Sequence, residues 1–275
     1  MRLILAGCVW LLLSACAVAQ TSALKQFSDR DDLFGWEAIG RLDMAGLGTC
    51  SGSLISSTLV LTAAHCVVSK STRKVLNPSE VTYHAGLQNG AAIAQRRSAR
   101  IAVHPNFTRS ADASIEDRVR YDVALVELET AIPTHVAAPF KIAAPSKSVR
   151  RVSVASYGQG RNGAISRQRE CQVKYAKAGL MVFDCTVTFG SSGAPVFEAN
   201  GYRPAIVSLI SQGSLGAEAF SLGMELPDAV GQLKSMLVSG RGVVSAIADQ
   251  KGAKSTGLST RAKASKSGAK FLKVR

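Results

Sequence analysis

No repeat of 20–50 residues and no glycine period runs through the 275-residue sequence, so solenoid and collagen-like architectures are excluded. Aromatic residues are scarce, at 6%, and do not cluster, which argues against a stacking platform for nucleic acid. The four histidines, His65, His84, His104 and His135, lack metal-ligand spacing, and nothing in the chain calls for a metal or a cofactor. Past residue 19 no apolar run is long enough to span a membrane. Acidic residues are missing from 251–275, which hold eight Lys and Arg. Most of the +14 net charge is therefore in that tail, because residues 20–250 carry 24 basic against 19 acidic groups. A basic nucleic-acid module is disfavoured by a body so nearly balanced.

What is present is ample core material: 47% of residues are hydrophobic, too many for wholesale disorder. Residues 3–19 form an uncharged apolar run behind Arg2 and read as a secretory signal peptide. Cleavage after the A-x-A site Ala17-Val18-Ala19 is the preferred reading, giving a secreted or periplasmic protein. Leu13-Ser14-Ala15-Cys16 also resembles a lipobox, in which Cys16 would carry a lipid anchor. Secretion favours disulfides. Of the three pairings open to the remaining four cysteines, Cys50–Cys66 and Cys171–Cys185 are chosen because each closes a short loop between apolar runs. Each bridge is worth roughly 3 kcal/mol on the chain-entropy model.

Short apolar runs recur at Leu59–Leu61, Val123–Leu128, Val152–Ala155, Met181–Phe183 and Ile206–Ile210, separated by turn signals such as Asn89-Gly90 and Asn200-Gly201. That pattern predicts an all-β barrel or sandwich. One late segment has helical spacing: Pro227-Asp228 opens it, Val230, Leu233, Met236 and Leu237 line one face, and Gly240 stops it. The domain is expected to cover 20–240, with 241–275 a basic disordered tail. The tail reads either as a solvated extension or as an adhesive segment for an anionic surface.

Three segments carry chemistry. His65 follows an apolar run in Thr62-Ala63-Ala64-His65-Cys66, beside an expected disulfide that would hold a general base in one orientation. Asp122 opens Asp122-Val123-Ala124-Leu125 and is a candidate for the carboxylate that orients an imidazole. Gly190-Ser191-Ser192-Gly193-Ala194-Pro195 is a tight turn able to expose a hydroxyl and aim backbone N–H groups at one point. The order His, Asp, Ser and the Ala at 194 exclude the nucleophile elbow of α/β-hydrolases.

With Cys50-Ser51-Gly52-Ser53-Leu54-Ile55, His104-Pro105-Asn106-Phe107 and Ile206-Val207-Ser208, these stretches resemble the trypsin/chymotrypsin-like serine proteases, within them the bacterial secreted branch that includes glutamyl endopeptidases. The resemblance implies two six-stranded Greek-key barrels with the site in the cleft between them, and a C-terminal helix packed on the second. It implies His65 as general base and acid, Asp122 as its orienter, and Ser192 as nucleophile. It further implies Gly190 and Ser192 N–H groups as oxyanion hole, Ser208 as support for the aspartate, and polypeptide substrates paired with the 208–210 backbone. Pocket walls are expected from Thr186, Val187, Val207 and Ile210, with Ile210 where many relatives have a glycine.

The chain departs from the family in having Ser191 where many members have an aspartate, and no activation site near residues 25–40. It is expected to work without an ion-pair zymogen switch. No acid occupies the six positions before Ser192 and no histidine lies at 205–212, so small or medium apolar side chains are expected before the scissile bond rather than Arg, Lys or Glu. The competing class is a catalytically inactive protease-like binding protein with a polyanion-adhering tail.

Overall fold

The computed structural model describes residues 22–110, 112–199, 203–214 and 219–246. The leader at 1–19, the Asn200-Gly201 turn and the tail at 251–275 lie outside the described residues.

The strands of the first half are β1 (Leu24–Gln26), β2 (Ile39–Met44), β3 (Gly48–Leu54), β4 (Leu59–Thr62), β5 (Val81–Ala85), β6 (Ala94–Val103) and β7 (Ala124–Leu128). Those of the second are β8 (Arg151–Ser156), β9 (Ser166–Lys177), β10 (Leu180–Phe183), β11 (Pro195–Glu198), β12 (Ala205–Leu209), β13 (Gln212–Gly213), β14 (Ser221–Met224) and β15 (Val243–Ser245). Helices are short: α1 (Ala64–Val67), α2 (Ile115–Arg120) and α3 (Pro227–Ser239). Each of the five apolar runs picked from the sequence falls on a strand, with Val123 and Ile210 just outside β7 and β12, and the fold is mostly β. Asn89-Gly90 turns with both residues at positive φ, 51° and 84°, the geometry that favours Asn-Gly in a tight hairpin.

β2 to β7 close into a six-stranded antiparallel barrel, because β6 pairs with both β5 and β7. Val60, Leu61, Tyr83, Ile101, Leu125 and Val126 of its strands are fully buried, alternate residues facing the barrel interior and the layers packed outside it. The second sheet runs β12-β11-β8-β9-β10-β14-β13 and does not close as a ladder. It forms a half-barrel, consistent with the expected double-barrel fold. Its two edges are joined by one segment: β12 pairs with β11, the chain bends after Leu209, and β13 then pairs with β14. The crossing is tight, since a Cβ on Gly223 would lie 2.2 Å from the Leu209 carbonyl.

Helix α3 begins with Pro227, ends at Gly240 with φ 71°, and buries Val230, Leu233 and Leu237. It packs on β6 and β7 of the first barrel, not on the second as expected, and Arg100 Nη1 donates to the Leu237 carbonyl over 2.8 Å. The domain also runs past residue 240: Val243, Val244 and Ser245 pair with Ala102, Ile101 and Arg100 of β6. The expected tail therefore gives up Arg241–Ser245 to the fold. β1 makes the reciprocal crossing, pairing with β9 of the second sheet.

Between the barrels Trp36, Phe140 and Phe197 form an aromatic cluster, with Phe140 and Phe197 centroids 4.7 Å apart. Arg167 stacks on Trp36 at 4.0 Å and Arg203 on Phe140 at 4.2 Å. On β2, Arg41 grips Asp43 through two hydrogen bonds of 2.6 and 2.7 Å and donates across the cleft to the Asn162 carbonyl over 3.0 Å. His84 Nε2 lies 3.2 Å from the same carboxylate. Burial alone would raise the Asp43 carboxyl, but hydrogen bonds from His84 and Arg41 and their charges outweigh it and bring it down to about 2. A depressed carboxyl stabilises the fold above its ordinary value of 3.8 and stops doing so as pH falls through 2. Asp43→Asn is thus expected to lower the thermal midpoint at pH 7, with the gap to wild type closing between pH 4 and pH 2 in melts over that range.

Candidate active site

The site is assembled by strand register. Thr62 at the end of β4 pairs with Ala124 at the start of β7, so the residues just after one strand meet those just before the other. Three residues beyond Thr62 is His65 on α1; two before Ala124 is Asp122. His65 donates its backbone N–H to Asp122 Oδ1 over 2.8 Å, and its Nδ1 lies 2.6 Å from Oδ2. A carboxylate only accepts, so Nδ1 carries the proton and Nε2 is left with its lone pair. Cys66, beside His65, is bridged to Cys50 of β3, and Cys171 to Cys185, the pairings chosen from the sequence. Arg109 ties down the same turn by donating to the carbonyls of His65 and Val68.

Asp122 is 1% exposed and takes a third hydrogen bond, from the Ser211 hydroxyl to Oδ2 over 2.6 Å. Ser208, expected in that role, is buried three residues earlier and donates instead to the Leu209 carbonyl over 3.4 Å. The reason is the bend after β12: it is the far side of the bend, Ser211-Gln212-Gly213, that faces the first barrel. Ser211 was the residue that sequence reasoning missed, and its only signal was a serine two places before a glycine at the end of an apolar run.

Ser192 lies in the turn before β11, and its hydroxyl has no hydrogen-bond partner among the described residues. It lines the same cleft as His65, a space of about 660 Å³ between the sheets. Every peptide plane of this turn is held from one side. The Phe189 carbonyl accepts from Gln159 N–H over 2.7 Å, Ser191 N–H reaches Thr188 over 2.9 Å, and the Ser191 carbonyl accepts from Ala194 N–H over 3.0 Å. Gly193 N–H donates to Ile210 over 2.7 Å, and the Ser192 carbonyl accepts from Ser51 N–H over 2.8 Å. The Ser51 hydroxyl donates to the Gly190 carbonyl over 2.9 Å, a second pin from the first barrel. Among the described residues the N–H groups of Phe189, Gly190 and Ser192 have no internal partner; Phe189 is exposed at the mouth, and those of Gly190 and Ser192 flank the buried Ser191.

Of the four expected pocket residues, Val187 and Ile210 line the cleft, whereas Thr186 and Val207 do not. Val207 is fully buried in the second sheet's core with Val154 and Val196, and Thr186 is exposed. The glycine of the wall is Gly213, not position 210: its ideal Cβ would lie 2.3 Å from Val187 Cγ2, so the valine methyl fills the space beside it. Among the described residues no Asp or Glu lines the cleft; the charged residues that do are Lys70 and Arg109, on the His65 side, and Phe189 stands 77% exposed at its mouth. Cys50, His65 and Cys66 cluster closely enough to suggest a metal site, but both sulfurs are spent in the disulfide.

The fold and cleft define a double-barrel architecture with a histidine, a buried aspartate and a serine converging between the halves. A family model described as a trypsin-like peptidase domain matches residues 50–206, more than half of the sequence, and the chain belongs to that family. It is 27% identical over 89 residues to Clotting factor C of Tachypleus tridentatus, a match covering 30% of this chain and 8% of that protein. It is similar in structure to a Glu endopeptidase solved in complex with MPD, with TM-score 0.64 and 16% identity over 81% of this chain and 99% of that one. It also resembles the thermostable serine protease AL20 from an extremophilic microorganism, with TM-score 0.61 and 19% identity over 77% and 99% of the two chains. A third likeness is to the protease Anisep from Arthrobacter nicotinovorans, with TM-score 0.58 and 16% identity over 74% and 96%.

Gly193 has φ 77° and its Cβ would lie 2.3 Å from both the Ser51 carbonyl and Thr62 Oγ1. Gly160 has nearly the same φ, 78°, with nothing within 4 Å. Gly160→Ala is expected to cost about 1 kcal/mol, and Gly193→Ala about 3 kcal/mol or more, because backbone of the opposite barrel must move. Denaturant melts of the two variants measure the difference.

Proposed function

We propose that this chain is a secreted serine endopeptidase that cleaves peptide bonds through an acyl-enzyme. His65 Nε2 removes the Ser192 proton as the hydroxyl attacks the carbonyl carbon, and later returns it to the leaving amine. Asp122 holds the neutral tautomer and stabilises the imidazolium that forms. The oxygen that becomes negative is received by the Gly190 and Ser192 N–H groups. The observation that carries the reading is that these two amides, on either side of the buried Ser191, stay without an internal partner in the turn that lines the cleft. An N–H left unpartnered at the wall of a cleft is available to an oxygen that enters it. The apolar leader and the two disulfides support secretion.

For the side chain before the scissile bond we infer a small or medium apolar preference. Val187 against Gly213 narrows that end of the cleft, Ile210 adds an apolar wall, and among the described residues no carboxylate lines it to receive an Arg or Lys. The exposed edge of β13 at Gln212 and Gly213, rather than 208–210, is where an extended substrate adds as a strand.

The test is covalent labelling with a fluorophosphonate followed by peptide mapping. An adduct on Ser192 that disappears in His65→Ala is the expected outcome; an unlabelled, folded wild type overturns the proposal. Ser211→Ala should lower kcat about tenfold through loss of one hydrogen bond to a charged group, while Ser208→Ala should leave it unchanged; steady-state kinetics of the pair separates the two serines. Digestion of a peptide library should give cuts after Ala, Val or Thr, and a preference for Arg, Lys or Glu would refute the narrowed pocket.

A further inference from the structure

Ser191 sits between the amides of Gly190 and Ser192, which have no internal partner, and its side chain is completely buried. Its hydroxyl accepts from Thr188 N–H over 3.1 Å and from Arg161 Nη2 over 2.9 Å, and it lies 3.2 Å from the Tyr157 carbonyl, to which it donates. Arg161 belongs to the loop after β8, and its other bonds go to the Ser156 carbonyl over 2.7 Å and the Ser156 hydroxyl over 3.0 Å. Every acceptor is neutral: no carboxylate pairs with this guanidinium among the described residues, and burial pushes it down to about 10. The place is made for it, since a Cβ on Gly158 would lie 2.7 Å from Arg161 Cζ and 2.5 Å from Thr188 Oγ1. A desolvated cation held by hydroxyls and carbonyls alone is costly to keep.

We propose that Arg161 is the positioning residue of the 188–193 turn, its guanidinium anchoring the Ser191 hydroxyl so that the Gly190 and Ser192 N–H groups face the cleft without any ion pair. The inference deepens the peptidase reading and rests on it. Clamping Ser191 fixes the peptide planes on both sides of it. Because the anchor is a side chain already present in the folded domain, the turn is set without a carboxylate at 191 and without a newly cut N-terminus to pair with one.

The test compares Arg161→Met, Arg161→Lys and, as a control for losing a half-buried arginine, Arg167→Met, whose guanidinium stacks on Trp36. Arg161→Met is expected to lower kcat on the order of 100-fold, the loss typical of one misaligned oxyanion donor, with KM within a few-fold. Arg161→Lys should recover part of the loss. Arg167→Met should lower the thermal midpoint and leave kcat unchanged. Ser191→Ala, which removes the hydroxyl that Arg161 holds together with its bonds to Thr188 and Tyr157, covers the case in which Arg161→Met does not fold; about a tenfold drop in kcat is expected, and an unchanged kcat overturns the inference. A wild type labelled at Ser192 whose Arg161→Met variant keeps its kcat overturns this inference alone. A wild type that takes no label overturns the peptidase reading and this inference with it.

Discussion

Asp122 is a carboxylate taken almost wholly out of water, and the arrangement of the molecule follows from the need to satisfy it. An isolated buried charge costs several kcal/mol, so donors must converge on it. They come from three places: the backbone and ring of His65 after β4, and the hydroxyl of Ser211 after β12. The first two belong to one barrel and the third to the other sheet. A single anion therefore fixes a histidine tautomer and locks the two halves of the domain at one relative placement.

That lock is reinforced by polar pins in the opposite direction. Ser51 of β3 reaches into the second half with both its N–H and its hydroxyl, and also accepts from Tyr157 N–H over 2.9 Å. Thr62 donates to the Ser51 carbonyl over 2.9 Å and so holds the pin in place. The apolar core runs through the same boundary, with Tyr157, Ile206, Leu209 and Met224 of the second half in one cluster with the first barrel. Packing brings the halves together non-directionally, and the hydrogen bonds choose the register.

Much of this was legible in the residues. Short apolar runs between turn signals specify strands, and Pro227 and Gly240 specify the ends of α3, because each signal is local. His65, Asp122 and the 190–193 glycines stood out because their neighbours constrain them so narrowly. What was not legible depends on bends and on partners far away in sequence. Whether Ser208 or Ser211 faces Asp122 turns on a kink after Leu209 that alternation does not encode. The failure of the second sheet to close as a ladder has the same origin. Val207 was misread because a two-residue period gives a face but not which core that face meets. Nothing local in the sequence singles out Arg161, and only the three-dimensional path of 156–161 carries it beneath Ser191.

The exchange of end strands has a consequence for how the polypeptide matures. β6 is long: residues 94–97 pair with β5, and residues 100–102 present their outer edge to β15. During synthesis, most of the barrel's own strands exist well before residue 243 leaves the ribosome. Until then the backbone at Arg100–Ala102 offers open ladder positions to whatever is nearby. From the synthesis of β6 until Val243–Ser245 arrive, the nascent chain thus carries an adhesive edge beside a barrel whose own strands are already present, and covering that edge is one of the last events in the life of the growing chain.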